Sequence, residues 1–150
     1  MLPRKHTLLI FALVVNAFLI SVQAANEKPN ILIIFTDDQG YGDVGCYGNQ
    51  VIKTPRLDQL AKEGTLFSSF YAQPVCGPSR SALLTGRYPV RSQGWSMPAE
   101  EITFAELLKP GGYVSCHIGK WHLGADDWYP QKQGYDFNYG GCDYGQPPDY

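Results

Sequence analysis

The chain has 150 residues, which is enough for one domain of modest size. Hydrophobic residues make up 44% of it and charged residues 17%, values that are typical of globular proteins. The net charge of −2 favours no class of charged partner, and the lack of a basic run argues against binding to nucleic acid.

The N-terminal stretch has the pattern of a targeting segment. A basic group at residues 4–6 precedes an apolar run over 8–22, and Val22-Gln23-Ala24 offers small residues at cleavage spacing. Because the run is shorter than the roughly 20 residues of a spanning helix, a membrane anchor is the less favoured alternative. We expect a signal peptide over residues 1–24, a mature region over 25–150 that is secreted or periplasmic, and no stable membrane insertion after cleavage.

Export would place the four cysteines in an oxidising compartment, where disulfides can form. If Cys76 has a chemical role, as argued below, an odd number of cysteines is left. The sequence therefore assigns no disulfide.

The first half of the mature region predicts a strand, a helix and an extended segment. Residues 30–35 form a run that is apolar after Asn30, which is typical of a strand buried on both faces. Thr54 and Pro55 are residues that start helices, and Gly64 is one that ends them. The aromatic and β-branched run over 65–72 predicts a second strand or an extended segment.

The second half predicts two helices and a strand. Residues 79–84 read as a short helix, and Thr103 with Glu106 forms a capping box for a helix that runs through Lys109. A third strand is predicted over 113–118, and no periodicity follows Asp126. Alternating strands and helices predict an α/β fold with a largely parallel sheet, in which ligands bind beyond the carboxyl ends of the strands.

Asp37 and Asp38 are adjacent carboxylates directly after the first predicted strand. Two carboxylates at one place repel each other, and a hard divalent cation relieves the repulsion. Oxygen ligands favour Ca²⁺ or Mg²⁺ over zinc. The alternative is a turn at the strand end with two solvated acids.

Cys76 begins a run in which a proline follows at position 78 and an arginine at position 80. A thiol near a helix N-terminus faces unpaired N–H groups, which bind anions and raise thiol reactivity. Arg80 lies one helical turn further on, so both side chains can face one oxyanion. The alternatives are an inert buried cysteine and a surface arginine.

Lys120 and His122 flank Trp121 just after the third predicted strand. In an extended segment, residues two apart point to one face, which would bring a cation and a proton carrier into one pocket. The alternatives are a surface lysine and a structural histidine. His117, which also lies near, is interpreted as structural.

Taken together, these segments resemble the sulfatase family. The resemblance rests on TDDQGYGD at residues 36–43, on C-x-P-S-R-x-x-x-L-T-G-R from Cys76 to Arg87, and on GKWHLG at residues 119–124. It is close to the arylsulfatase and N-acetylgalactosamine-6-sulfatase branch and covers residues 28 to about 136.

The resemblance implies an alkaline-phosphatase-like α/β fold and hydrolysis of sulfate esters in a small molecule or carbohydrate. It implies that a formylglycine-generating enzyme converts Cys76 to formylglycine, the catalytic aldehyde. It also implies that Asp37, Asp38 and the modified Cys76 bind Ca²⁺, with Mg²⁺ possible, and that Arg80, Lys120 and His122 belong to the sulfate pocket.

The chain departs from the family in length, because sulfatase catalytic domains are considerably longer. The family's further metal ligands, a second histidine and a second lysine come from later sequence. We therefore expect residues 25–150 to be the N-terminal portion of a truncated catalytic domain that is inactive alone. Two alternatives stay open: a phosphate or phosphonate monoester hydrolase of the same superfamily, and a non-catalytic secreted fragment with Cys76 unmodified.

Overall fold

A computed structural model describes residues 28–91 and 97–146 of the chain. The predicted signal peptide lies outside the described residues. The chain divides into two compact units, Met1–Thr36 and Asp37–Tyr150, and every candidate site residue belongs to the second. Among the described residues, none of the helices combines the length and the apolar character that crossing a membrane would require.

The described part of the first unit, residues 28–36, has no regular secondary structure. Its apolar side chains are exposed, with Leu32 at 83% and Ile34 at 72%. The strand predicted over 30–35 is therefore not formed. A strand exists only through ladder hydrogen bonds to a neighbouring strand, and no such ladder is present within residues 28–36.

Helix α1, Pro55–Glu63, begins and ends where the sequence predicts. Thr54 is the N-cap residue, but its hydroxyl accepts a hydrogen bond from the N–H of Gly45 and donates one to Asp58 instead of capping the helix. Residues 65–72 contain a bend and no strand, so the strand alternative for that segment is wrong.

Helix α2, Cys76–Thr85, is longer than the helix predicted over 79–84. Val75 is the N-cap residue, so Cys76 is the first residue of the helix and does not precede it. The helix ends at Gly86, which adopts a left-handed φ of 65° that favours glycine.

Helix α3, Phe104–Leu108, has the predicted capping box. The hydroxyl of Thr103 accepts a hydrogen bond from the N–H of Glu106, and the Glu106 carboxylate accepts one from the N–H of Thr103. One 3₁₀ turn, Lys109–Gly111, extends the helix.

Two short parallel strands follow, β1 over Cys116–Ile118 and β2 over Phe137–Tyr139. They pair with Cys116 opposite Phe137 and Ile118 opposite Tyr139. Strand β1 lies inside the predicted strand over 113–118, whereas β2 falls in the region without periodicity and was not predicted. Two 3₁₀ turns, Asp126–Trp128 and Pro130–Gln133, lie in the connection between the strands.

The hydrophobic core lies where α2, α3 and the segment after β1 meet. Trp121 is its largest buried side chain, and its ring packs edge-on against Tyr135 and His117, with centroids 5.8 and 5.0 Å away. The indole N–H donates to the carbonyl of Trp128 at 2.6 Å. The other buried members are Leu84, Met97, Ala105 and Leu123. Anchoring Trp121 in the core fixes the backbone of its two polar neighbours, Lys120 and His122.

Candidate active site

The first turn of α2 brings Cys76 next to His122, 46 residues further along the chain. The sulfur lies 3.5 Å from Nδ1 of the imidazole. At the helix start, the thiol is also near backbone N–H groups that have no partner within the helix. The backbone N–H groups stabilise negative charge at position 76, and the imidazole can take up a proton there.

Arg80 lies one turn further along α2, and its side chain is only 10% exposed. Nη1 donates to the carbonyl of Lys120 at 2.5 Å, and Nη2 lies 3.7 Å from Oδ1 of Asp37. Burial lowers the pKa of Arg80, while the charges of Asp37 and Cys76 oppose that shift. The guanidinium thus connects the helix to both other site segments.

Lys120 and Asp37 form an ion pair with Nζ 2.9 Å from Oδ2. Lys120 is 17% exposed and Asp37 is 49% exposed. The hydrogen bond from Lys120 is the main cause that lowers the pKa of Asp37, and the charges of Lys120 and Arg80 act in the same direction. Asp37 is therefore a carboxylate at neutral pH that holds two cations in place.

His122 occupies its position with a strained backbone. Its φ is 58°, in the left-handed region that costs a residue with a side chain about 1 kcal/mol or more. The N–H of His122 donates to the carbonyl of Cys142 at 2.9 Å. A Cβ placed on Gly145 would lie 3.5 Å from Cε1 of the imidazole. The loop after β2 thus borders the site. This role is not predicted from the sequence, because the sequence of the loop shows no periodicity.

The chain is similar to known proteins in sequence and in structure. The family model described as Sulfatase matches residues 29–149. The chain is 42% identical to N-acetylgalactosamine-6-sulfatase of Canis lupus familiaris over 89% of its own length. It is 47% identical to arylsulfatase A of Homo sapiens over 75% of its length.

The chain belongs to the sulfatase family. It spans 30% and 25% of the length of those two relatives. The crystal structure of Ps i-CgsB in complex with a neocarrahexaose matches with a TM-score of 0.70 and 40% identity, over 74% of this chain and 28% of that one. A structure from work on the metabolism of glycosaminoglycans by Bacteroides thetaiotaomicron matches with a TM-score of 0.68 and 36% identity, over 75% and 28%. The fold is therefore the alkaline-phosphatase-like α/β fold, of which this sulfatase chain supplies a part with a small parallel sheet.

The described residues of this sulfatase chain do not form a metal site by themselves. No three histidine, cysteine, aspartate or glutamate side chains among residues 28–91 and 97–146 are grouped to hold an ion. Both carboxylate oxygens of Asp37 face cations, and Asp38 is exposed with a φ of 52°. The carboxylate chemistry suits Ca²⁺, but the three predicted ligands Asp37, Asp38 and Cys76 are not gathered into one site.

His117 is half-buried and packs against the core of the sulfatase chain, in agreement with its structural interpretation. Its Nε2 is 3.1 Å from the carbonyl oxygen of Gly119, and its ring packs edge-on against Trp121 and Tyr135. Burial is the main cause that lowers its pKa below 6.5. A neutral His117 supports the turn that leads to Lys120.

Proposed function

We propose that the whole protein containing this sequence hydrolyses sulfate esters at the cluster built around Cys76. The observation that carries the proposal is the convergence of Cys76, Arg80, Lys120 and His122, which come from two segments far apart in sequence. A buried guanidinium and an ammonium next to a nucleophile favour the binding of an anionic substrate group, which the nucleophile then attacks.

We propose formylglycine, made from Cys76 by a formylglycine-generating enzyme, as the nucleophile. When formed and hydrated, this group supplies an oxygen nucleophile where the thiol now lies. His122 accepts a proton at that position, because its Nδ1 lies 3.5 Å from the sulfur.

Arg80 and Lys120 act on the sulfate oxygens through their positive charge. Asp37 orients both of them through the ion pairs at 3.7 and 2.9 Å. A planar guanidinium that is also fixed to the Lys120 carbonyl cannot rotate away, so it loses little entropy when an oxyanion binds.

We further propose that Ca²⁺, or Mg²⁺, binds with the carboxylates of Asp37 and Asp38 among its ligands, the remaining donors being supplied from outside the described residues. The support is the preference of hard cations for carboxylate oxygens. Asp38→Ala should lower calcium affinity measured by calorimetry on the whole protein. Unchanged calcium binding, or activity that survives exhaustive chelation, would contradict the assignment.

The substrate is proposed to be a sulfated small molecule or carbohydrate, and the protein is proposed to be secreted or periplasmic after cleavage of residues 1–24. The 150-residue chain alone is expected to show no turnover, since it covers less than a third of its curated relatives. The exposed apolar residues at 31–35 would also lack cover in that chain.

The proposed function is tested with a matched pair of substrates, an aryl sulfate and the corresponding aryl phosphate. The whole protein, expressed with the converting enzyme, should hydrolyse the sulfate faster, and Arg80→Ala should lower that rate by about 10² or more. Arg56→Ala, at an exposed position on α1, is the matched control and should keep wild-type activity. Faster hydrolysis of the phosphate would instead identify a phosphoryl hydrolase.

A further inference from the structure

The loop that follows β2 is fastened by the side chain of Asn138. Its Nδ2 donates to the carbonyl of Gly141 at 2.9 Å, and its Oδ1 accepts from the N–H of Gly141 at 3.0 Å. A two-way pair of this kind fixes both the position and the orientation of the Gly141 peptide groups.

Gly141 has no space for a side chain. A Cβ there would lie 2.7 Å from Cδ2 of His117, which is closer than such atoms approach, and a tight 3.0 Å from Cγ of Pro130. The loop backbone is therefore pressed against the core at this residue. The next residue, Cys142, is held by that contact and by the Asn138 bonds.

Cys142 in turn holds His122. Its carbonyl accepts the N–H of His122 at 2.9 Å. Because His122 has a left-handed φ of 58°, its backbone needs an outside contact to keep that conformation. Gly145 of the same loop faces the imidazole, because a Cβ added there would lie 3.5 Å from Cε1. The imidazole thus lies between this loop and Cys76.

We propose that Asn138 is a positioning residue for the proton carrier His122. It acts through Gly141 and Cys142 and contacts neither Cys76 nor the substrate. The inference rests on the proposed function, because it assigns a role within that site. In this role, Asn138 keeps Nδ1 of His122 directed at position 76.

The test measures alkylation of Cys76 by iodoacetamide in the whole protein with position 76 left as cysteine. The sulfur forms a bond to carbon, iodide leaves, and the thiol proton passes to His122 or to solvent. Peptide mass spectrometry gives the rate at Cys76, with the exposed Cys116 as reference in the same sample. His122→Ala should lower the Cys76 rate roughly tenfold, because the thiol loses its proton acceptor.

Asn138→Asp replaces the amide donor by a carboxylate that repels the carbonyl of Gly141. It should shift both the rate at Cys76 and its dependence on pH towards those of His122→Ala. If Asn138 acts only through His122, the double variant should match His122→Ala alone. Gln131→Ala removes the other partner of Asn138, at 3.3 Å, and should leave the Cys76 rate unchanged.

A wild-type rate in Asn138→Asp would overturn the proposal, as would a double variant slower than His122→Ala. A wild-type rate in His122→Ala would overturn it too, since no effect of His122 would remain to be positioned. If Asn138→Asp loses its near-UV circular dichroism, Asn138→Ser provides the same comparison with a smaller change. Alkylation needs no sulfate hydrolysis, so the two proposals can fail separately. If the protein converted to formylglycine does not hydrolyse aryl sulfate while the unconverted protein follows the expected alkylation pattern, only the proposed function is contradicted.

Discussion

Replacing Arg80 with lysine probes the connection that holds the three site segments together. Lysine keeps the positive charge but lacks the planar fork that reaches two acceptors in fixed directions. In the wild-type protein, one guanidinium spans the Lys120 carbonyl at 2.5 Å and the Asp37 carboxylate at 3.7 Å. A single ammonium cannot reproduce both contacts from the same position on α2.

The expected loss follows from those two contacts. The bond to the Lys120 carbonyl is charge-assisted and formed by a side chain that is only 10% exposed, so its loss costs about 1.5–3 kcal/mol. The contact with Asp37 adds little, since Asp37 is 49% exposed and exposed pairs contribute about 1 kcal/mol or less. Arg80→Lys should therefore lower the free energy of unfolding by about 2–3 kcal/mol.

The measurement is urea denaturation of the whole protein at neutral pH, followed by tryptophan fluorescence. Arg56→Lys is the matched control, because Arg56 is exposed on α1 and donates a long hydrogen bond of 3.5 Å to Gln59. The control should stay within about 0.5 kcal/mol of wild type. An Arg80→Lys protein as stable as this control would refute the role of the guanidinium as a connector.

Three further substitutions test the Lys120–Asp37 ion pair, the half-buried His117 and the cap of α3. Lys120→Met removes the main cause of the lowered pKa of Asp37. In wild type, the ionised Asp37 adds stability above pH 3.8, and this stability is lost as pH falls. The variant should therefore lose less stability than wild type when urea midpoints are compared between about pH 5 and 3. His117→Gln removes a half-buried histidine whose pKa is lowered. Wild type should lose stability as pH falls below 6.5, and the variant should show a flatter profile from about pH 7 to 5 in the same assay. Thr103→Val deletes the hydroxyl that caps α3 and donates to the carbonyl of Gln133 at 2.7 Å. It should lower the free energy of unfolding, measured by calorimetry, by about 2 kcal/mol. An unchanged free energy of unfolding would contradict the stabilising role of the cap.

The sequence predicted the parts of the site that depend on local geometry. Arg80 follows Cys76 by one helical turn, and Lys120 and His122 are two residues apart beside a core tryptophan. Both spacings can be interpreted without knowledge of distant segments. The capping box at Thr103 is local in the same sense, and the structure confirms it.

The missed features depend on contacts between residues far apart in sequence. Strand β2 has three residues and exists because it pairs with β1, so its own composition carries little signal. The run over 30–35 has the composition of a strand, but residues 28–36 are not assigned to a strand and so form no ladder. The part played by the Cys142 carbonyl has no signal in side-chain chemistry, because the backbone supplies it.

We propose that position 76 carries the nucleophile of a sulfatase site. The most direct measurement is the mass of the peptide that contains residue 76, from the whole protein expressed aerobically with a formylglycine-generating enzyme. We expect an aldehyde oxygen in place of the sulfur in the fraction that hydrolyses aryl sulfate. An intact thiol at Cys76 in that active fraction would contradict it.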